Sequence, residues 1–351
     1  MLTARAETIL KSIVGQYIAK ATPVPSQSII HNYELRVSTA TIRNEMAHLE
    51  QEGYITRPHP SAGSIPSDKG YRYYVESLGD IHLPLAEQRL ISHIFHQVEK
   101  ELNEWINLAA TLMAQMAHNL AMVTIPKPDA CQFKRLELVS LQDFMALVIL
   151  VVSGAKLRKQ LITFDQIISQ SELTAIANKL SAAYSGLTGS QVAATKDSKL
   201  SPTEKELTDC LVKLMETEDT QEHEERYLDG LHFMLNQPEF TQSYRIQSLM
   251  ELVEQRNLMK SIIPPEVTRD KVQVIIGKEN KSEAIQDYSI VISHYGLPKE
   301  AVGTIVVIGP TRMPYARTIA TISYLSLVLS GLEAQLYGKE MPTEPELHTT
   351  N

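Results

Sequence analysis

The chain contains 351 residues, of which 43% are hydrophobic and 21% are charged, as is usual for a globular protein. At roughly 100–200 residues per domain, this length predicts two or three domains. The net charge of −8 argues against a protein that coats nucleic acid through a general positive charge. The two cysteines, Cys131 and Cys210, are too few and too far apart for a disulfide framework or a metal-binding motif.

Charge is unevenly distributed along the chain. The first 80 residues contain eight Lys or Arg and eight Asp or Glu, so the whole net charge of −8 falls on the remainder. A neutral segment joined to an acidic body is compatible with a DNA-binding domain attached to another domain. The first residues lack an apolar signal core, and the longest apolar run, residues 144–152, is shorter than the ~20 residues of a membrane span. We therefore expect a soluble, cytoplasmic protein with no membrane partner.

The N-terminal segment predicts three helices in close succession. The first covers residues 3–20 and is capped by Thr3, and a short second helix covers residues 26–33. A tight turn at residues 34–37 leads to a third helix, which Ser38 caps and Gly53 ends.

The pattern after Gly53 predicts a hairpin followed by a fourth helix. Residues 54–57 alternate like a strand, the two prolines and the glycine of residues 58–63 prevent regular structure, and residues 64–66 form a short return strand. Ser67 then caps another helix. Three helices, a hairpin and a helix is the order of a winged helix-turn-helix, which we assign to residues 1–80.

Residues 81–124 are assigned to a long linking helix, which the pattern over residues 85–122 predicts as one or two helices with an apolar seam. Two interpretations stay open at this point: the helix packs on its own domain, or it forms a dimer or links domains. The seam consists of apolar residues at steps of four and three, namely Ile91, Phe95, Val98, Leu102, Trp105, Ala109, Leu112 and Met116.

The rest of the chain predicts strands on both sides of a polar helical block. The simplest arrangement is an α/β domain with a twisted antiparallel sheet, made of residues 125–190 and 268–338, and a mostly helical insertion at residues 191–267. Residues 339–351 form a tail. Separate consecutive domains are the alternative. In either case the fold class is α+β multidomain.

The third helix carries the residues that point to a function. Ile42, Met46 and Leu49 fall on one face at helical spacing and predict the core side. The opposite face combines small residues with Asn44 and Arg43, and such a face approaches a major groove, where Asn pairs with adenine and Arg with guanine. An ordinary surface helix is the alternative, but the cationic hairpin that follows favours DNA binding. The predicted DNA-binding residues are Ser38, Thr39, Ala40, Thr41, Arg43, Asn44, Ala47, His48, Arg57, His59, Lys69 and Arg72.

Other classes of function have little support. The sequence lacks a Gly-rich phosphate loop, a metal-ligand cluster and a nucleophile elbow, so we expect no enzyme, no catalytic residue, no metal and no cofactor. His93 and His96 are expected to be solvated. Two rivals stay open: a ligand-sensing regulator, with a polar patch at Thr311, Arg312 and Tyr315, and a protein-interaction adaptor. A structural role for Arg312 is preferred.

Four motifs resemble the HrcA family of heat-inducible transcription repressors. VSTATIRNEMAHLE at residues 37–50 resembles the recognition helix of that family, and PHPSAGSIPSDKGYRYYV at residues 58–75 resembles its wing and the following helix. LNQPEF at residues 235–240 and IGPTRMPYA at residues 308–316 are similar to later family motifs. The resemblance implies a winged helix-turn-helix, a GAF-like domain and an inserted dimerisation domain, for which the 191–267 region is favoured over the 91–116 seam.

The resemblance also implies partners and a regulatory circuit. It implies a homodimer that binds an inverted-repeat operator of the CIRCE type and represses chaperone operons, with a GroEL-type chaperonin that promotes the active repressor. Unfolded proteins that occupy the chaperonin would then release repression. One departure concerns Ser64, where the family usually has arginine in the wing. A wing contact with DNA is therefore in doubt at this position, unless Thr56 and Arg57 compensate.

Overall fold

The computed structural model describes residues 2–32, 38–59, 62–98, 101–127, 130–153, 156–195, 200–220, 226–241, 246–247, 249–251, 272–297, 301–336 and 338. These residues form two compact units. Unit 1 comprises Met1–Ile125, Glu225–Gly296 and Gly303–Asn351, and unit 2 comprises Pro126–Glu224 and Leu297–Val302. Helices and sheets are mixed in both.

The first part of unit 1, called the head here, contains four helices and a hairpin. The helices are α1 (Ala4–Lys20), α2 (Ser26–Asn32), α3 (Thr39–Gln51) and α4 (Asp68–Glu76), and the hairpin pairs β1 (Ile55–Thr56) with β2 (Ile65–Pro66). Thr3, Ser38 and Ser67 accept hydrogen bonds from the first-turn amides of α1, α3 and α4, as the capping prediction requires. The predicted turn at residues 34–37 lies outside the described residues.

The second part of unit 1, called the body here, is a five-stranded sheet with helices. The strands lie in the order β7 (Arg226–Asp229), β3 (Leu120–Thr124), β10 (Ala301–Pro310), β9 (Tyr288–Leu297) and β8 (Gln273–Ile276). The helices are α5 (Leu85–Gln97), α6 (Leu102–Ala117), α10 (Leu231–Leu235) and α11 (Tyr315–Leu336), and α6 packs against α11. The pairings β8–β9, β10–β3 and β3–β7 are antiparallel, but β3 and β7 lie outside residues 125–190 and 268–338, to which the predicted sheet was assigned.

The predicted helical segment at residues 81–124 consists of two helices, one of the two possibilities left open, and it ends earlier than predicted. Helices α5 and α6 cover part of this range, and residues 120–124 form strand β3, the second strand of the sheet, instead. The seam residues Ile91, Phe95, Trp105 and Ala109 are buried in the hydrophobic core of unit 1. This burial agrees with the interpretation that the seam packs on its own domain.

Unit 2 contains a three-stranded antiparallel sheet of β4 (Phe133–Gln142), β5 (Met145–Val152) and β6 (Lys156–Thr163). The helices α7 (Gln170–Tyr184), α8 (Gly189–Ala194) and α9 (Pro202–Thr220) share a hydrophobic core with one face of this sheet. The structure thus differs from the predicted division at residues 125–190 and 191–267. Strands β4 to β6 pair with each other and not with the sheet of the body, because each follows its neighbour through a short connection.

Helix α11 is long and apolar enough to cross a membrane by length and composition alone. Half of its apolar window is buried, however, and Ile322, Leu325 and Leu329 belong to the core of unit 1. We therefore treat α11 as the core helix of the body.

Candidate nucleic-acid interface

Helix α3 has one buried face and one exposed face. Ile42, Met46 and Leu49 are buried, as the spacing predicts. The exposed face carries most of the predicted DNA-binding residues of this helix, namely Ser38, Ala40, Arg43, Asn44, Ala47 and His48, whereas Thr39 and Thr41 are half-buried. The structure therefore brings a short polar surface with one guanidinium and one carboxamide to solvent.

The N-terminus of α3 is held by its cap. The Ser38 Oγ lies 3.2 Å from the Thr41 amide nitrogen, from which it accepts, and 2.9 Å from the Thr41 Oγ1. The positive end of the helix dipole and the remaining first-turn amides favour an anion at this point. Ser38 is exposed, so its hydroxyl is able to meet a phosphate while the helix stays capped.

The hairpin stands beside α3 and is joined to the segment that precedes α2. Val24 and Ser64 form an antiparallel bridge, with N–O distances of 2.8 and 2.9 Å. At Gly63 an added Cβ would lie 2.5 Å from the Val24 carbonyl carbon, so the close approach of the two backbones requires glycine. The hairpin is thereby fixed to the head at its base.

A groove of about 420 Å³ lies between α3, the start of α2 and the hairpin. Arg43 and Arg57 both border it. The Arg43 Nε lies 3.5 Å from the Ser26 Oγ, and the Arg57 Nε lies 3.2 Å from a Glu50 carboxylate oxygen. Both contacts are made at the surface, where they contribute little, so either guanidinium can exchange its partner for a phosphate or a base at small cost.

The departure at Ser64 has a structural counterpart. The side chain of Ser64 is fully buried, and its Oγ has no hydrogen-bond partner among the described residues. Ser64 also borders the groove, and Arg57 is the cation of the hairpin that borders it. His59 is exposed on the same loop.

Lys69 and Arg72, the two predicted cations of α4, make contacts inside unit 1 and do not border the groove. The Lys69 Nζ donates to the Glu52 carbonyl at 2.7 Å and lies 4.1 Å from the centre of the Tyr54 ring. Arg72 is half-buried and donates to the carboxylate of Glu279 and to the Val274 carbonyl. Hydrogen bonding to Glu279 raises the pKa of Arg72 above its ordinary value.

The later motifs also contribute to structure. The Arg312 Nε donates to Glu239 at 2.5 Å, and its Nη1 donates to the Ile18 carbonyl near the end of α1 at 3.0 Å. Tyr315 is fully buried, its hydroxyl lies 2.7 Å from the Ser289 Oγ, and burial raises its pKa. These contacts agree with the preferred structural role for Arg312. Sequence reasoning missed Glu279, which accepts from Arg72, and Asp68, which accepts from the Lys278 amide beside Gly277, because no local pattern marks these residues.

Comparison with known proteins identifies the relatives of this chain. A family profile described as the HrcA protein C-terminal domain matches residues 103–319. A heat-inducible transcription repressor HrcA of Dehalococcoides mccartyi is 55% identical over 339 residues, which cover 97% of this chain and 98% of the relative. A repressor of the same name from Roseiflexus castenholzii is 38% identical and covers 99% of each chain.

One solved structure shares the fold. It is described only as that of a hypothetical protein and superposes with a TM-score of 0.62 at 22% identity, covering 95% of this chain and 99% of the other. This likeness supports the arrangement of the elements and carries no information about function.

Proposed function

The chain belongs to the HrcA family of heat-inducible transcription repressors, and on this premise we propose that it represses heat-shock genes by binding an inverted-repeat operator through its head. The single observation that carries the proposal is the exposed face of α3, on which Arg43 and Asn44 stand between the small residues Ala40 and Ala47. Small neighbours allow the helix to enter a major groove deeply enough for the two long side chains to reach base edges.

We interpret the head as a winged helix-turn-helix. Helices α2 and α3 are the helix-turn-helix, the β1–β2 hairpin is the wing, and the Val24–Ser64 bridge ties the wing to the preceding segment. In this arrangement α3 lies in the major groove, and Arg57 and His59 face the sugar–phosphate backbone or the adjacent minor groove. Ser38 and the amides at the start of α3 bind a phosphate.

We further propose that the body is the GAF-like domain of the family and that unit 2 is its inserted dimerisation domain. An inverted repeat calls for a two-fold protein, and linking two weakly binding heads multiplies their affinity for the repeat. The favoured region, residues 191–267, overlaps unit 2 through α9 and part of α8, whereas its part from residue 225 onward belongs to unit 1. Residues 252–267 lie outside the described residues.

An apolar surface on unit 2 supports the assignment of dimerisation. The outer face of its sheet is not covered by any described residue of unit 2, and it exposes Val139, Leu157 and Leu161 by 40%, 55% and 56%. Val139, Leu147 and Leu161 lie in one row across the three strands, and Glu137 and Lys159 flank Ile149 in the next row. An apolar centre with charges of both signs near it suits a second copy of the same face.

The family resemblance also supports the regulatory part of the proposal. The operator is of the CIRCE type, a GroEL-type chaperonin promotes the active repressor in the cytoplasm, and unfolded proteins relieve repression when they occupy the chaperonin.

The first experiment measures fluorescence anisotropy of a labelled chaperone-operon inverted repeat against a scrambled duplex of the same composition. A repressor of this class binds the repeat selectively and loses affinity steeply between about 50 and 200 mM salt. A second arm adds GroEL and ATP to separate a misfolded sample from an inactive one. Equal affinity for both duplexes in both arms contradicts the proposal.

The second experiment tests the dimer by light scattering. Leu161→Glu places a charge on the edge strand β6 of the outer sheet face and is expected to give a monomer whose operator affinity falls roughly 100-fold or more. Ala175→Glu adds the same charge to the exposed side of α7 and is the matched control. A Leu161→Glu protein that remains dimeric excludes this face as the interface.

A further inference from the structure

Helix α4 and its cap hold the C-terminal end of α3. The Ser67 Oγ donates to the Gly53 carbonyl at 2.7 Å, and the Lys69 Nζ donates to the Glu52 carbonyl at the same distance. Both carbonyls follow the last residue of α3, Gln51: Glu52 is the C-cap, whose carbonyl has no partner within the helix, and Gly53 is the next residue. The position of α4 therefore determines the position of the end of α3.

The same helix also contacts the body, through the side chains of Asp68 and Arg72. Asp68 accepts from the Lys278 amide nitrogen at 3.1 Å. One turn later, the Arg72 Nε donates to a Glu279 carboxylate oxygen at 2.8 Å, and its Nη2 donates to the Val274 carbonyl at 2.6 Å. Both side chains meet one short stretch of the body, residues 274–279.

That stretch is shaped to receive them. Gly277 has a φ of +52°, which favours glycine, and an added Cβ would lie 2.5 Å from the Asp68 carboxylate, so the absence of a side chain leaves room for the acid where it lies. The Glu279 carboxylate also accepts a hydrogen bond from the Ile276 amide nitrogen at 2.8 Å. This bond holds the carboxylate in place beside Arg72. The packing of Tyr71 against Tyr315, with ring centres 5.9 Å apart, closes the contact between head and body.

We infer that Arg72 is a positioning residue for operator binding: its ion pair with Glu279 fixes α4 on the body, and α4 in turn fixes α3. The inference rests on the proposed function, and it replaces the sequence-based expectation that Arg72 contacts DNA. To bind a phosphate, the guanidinium would have to leave the Glu279 carboxylate and the Val274 carbonyl, and both acceptors would lose a charged donor. A head that is fixed on the body presents α3 in one orientation, so less ordering is required when DNA binds.

The two roles predict opposite effects of a change at Glu279. If Arg72 contacted phosphate, Glu279→Gln would remove a competing anion and tighten DNA binding. If Arg72 positions α4, Glu279→Gln loosens the head and weakens operator binding by roughly 2- to 30-fold, the range of coupling through a structural link. Tighter binding by Glu279→Gln overturns the inference.

A charge exchange provides the rescue test. Arg72→Glu and Glu279→Arg are each expected to weaken operator binding, and the double variant is expected to bind roughly threefold or more tightly than either single variant, because the pair is restored with opposite polarity. The slope of log affinity against log salt should match that of the wild type in every variant, whereas loss of a phosphate contact lowers it by about one. A double variant weaker than both singles, or a lowered slope in Arg72→Glu and the double variant, contradicts the positioning role.

Amide hydrogen exchange separates this inference from the proposed function. In the free protein, Glu279→Gln should speed exchange at the end of α3 as well as in residues 277–279, while exchange within unit 2 stays unchanged. This readout needs no DNA, so it remains informative if the wild type proves not to bind the operator. Unchanged exchange at the end of α3 overturns the link, and circular dichroism confirms that the variant is folded.

Discussion

The ammonium group of Lys69 lies 2.7 Å from the carbonyl oxygen of Glu52, just beyond the end of the helix that carries Asn44. The same ammonium lies over the Tyr54 ring at 4.1 Å. A cation at a helix C-terminus compensates the negative end of the helix dipole and satisfies a carbonyl that has no partner within the helix. Lys69 thus stabilises α3, although its charge and position in the sequence predict a phosphate contact.

We predict that Lys69→Met lowers the free energy of unfolding by about 1 kcal/mol, since the methionine keeps the apolar stem and removes the donor and the cation–π contact. Urea denaturation measures this loss, with Lys20→Met, at an exposed position on α1, as the control. The salt dependence of operator binding should not change. If Lys69→Met has normal stability but its slope of log affinity against log salt is lower by about one, Lys69 contacts a phosphate, as the sequence predicts.

Arg43 and Asn44 are the side chains with which we expect α3 to distinguish bases. Arg43→Ala and Asn44→Ala should each weaken operator binding by about 1–3 kcal/mol while affinity for the scrambled duplex changes less. Both side chains are exposed, so the unfolding transition should stay that of the wild type. Anisotropy on both duplexes measures the difference. If neither variant changes the preference for the operator, α3 does not lie in the groove in the register that we propose.

Local sequence patterns predict the helices and strands of this fold well, but they do not predict which of these elements pair with each other. The spacing of Ile42, Met46 and Leu49 was sufficient to predict the buried face of α3, because a helix repeats every 3.6 residues. Alternation also located β4 and a continuous apolar run located β5, but neither pattern could show that these strands pair with each other outside the sheet of the body. Strand β3 was missed because residues 120–124 are buried throughout and therefore do not alternate.

The same limit applies to the site. Charge and exposure place Arg43 and Asn44 correctly on the outer face of α3, since helical periodicity fixes which residues share a face. For Arg72 the deciding partner is Glu279, which lies 207 positions away in a stretch without a distinctive pattern. A contact between residues so far apart in the sequence depends on the packing of whole elements, and a single sequence contains no direct signal for it.

The buried carboxyl group of Glu333 on α11 gives unit 1 a predictable response to pH. Glu333 is 1% exposed, neither carboxylate oxygen has a hydrogen-bond partner among the described residues, and burial raises its pKa from 4.5 to about 7. The folded state therefore retains a proton that the unfolded chain releases. This contribution to stability is present below pH 4.5 and is lost as the pH rises through about 7.

We predict that Glu333→Gln makes the protein up to about 3 kcal/mol more stable than the wild type at pH 8, because glutamine stays neutral where the carboxyl must ionise. Near pH 5 the two proteins should differ little. Chemical denaturation at pH 5, 6.5 and 8 measures the difference, with the exposed Glu76→Gln as the control. A difference that does not grow with pH would show that Glu333 is ionised in the folded protein.

Two helical glycines should respond to alanine in opposite directions. Gly15 in α1 has no atom within 4 Å of an added Cβ, so Gly15→Ala is expected to stabilise the protein by about 0.4–1 kcal/mol through the lower entropy of the unfolded chain. At Gly70 in α4, an added Cβ would lie 2.2 Å from the Tyr54 carbonyl oxygen, which belongs to the backbone and cannot rotate away. Gly70→Ala should therefore destabilise the protein by about 1–3 kcal/mol despite the higher helix propensity of alanine.

The consequence of Gly70→Ala for DNA binding follows from the role of α4. To admit the methyl group, α4 must move away from Tyr54, and the bonds from Ser67 and Lys69 to the end of α3 must lengthen with it. Operator affinity should then fall in Gly70→Ala and stay unchanged in Gly15→Ala, with both measured well below the unfolding temperature of the weaker variant. Equal operator affinity in the two variants, together with the predicted loss of stability in Gly70→Ala alone, would show that the position of α4 does not control the reading helix.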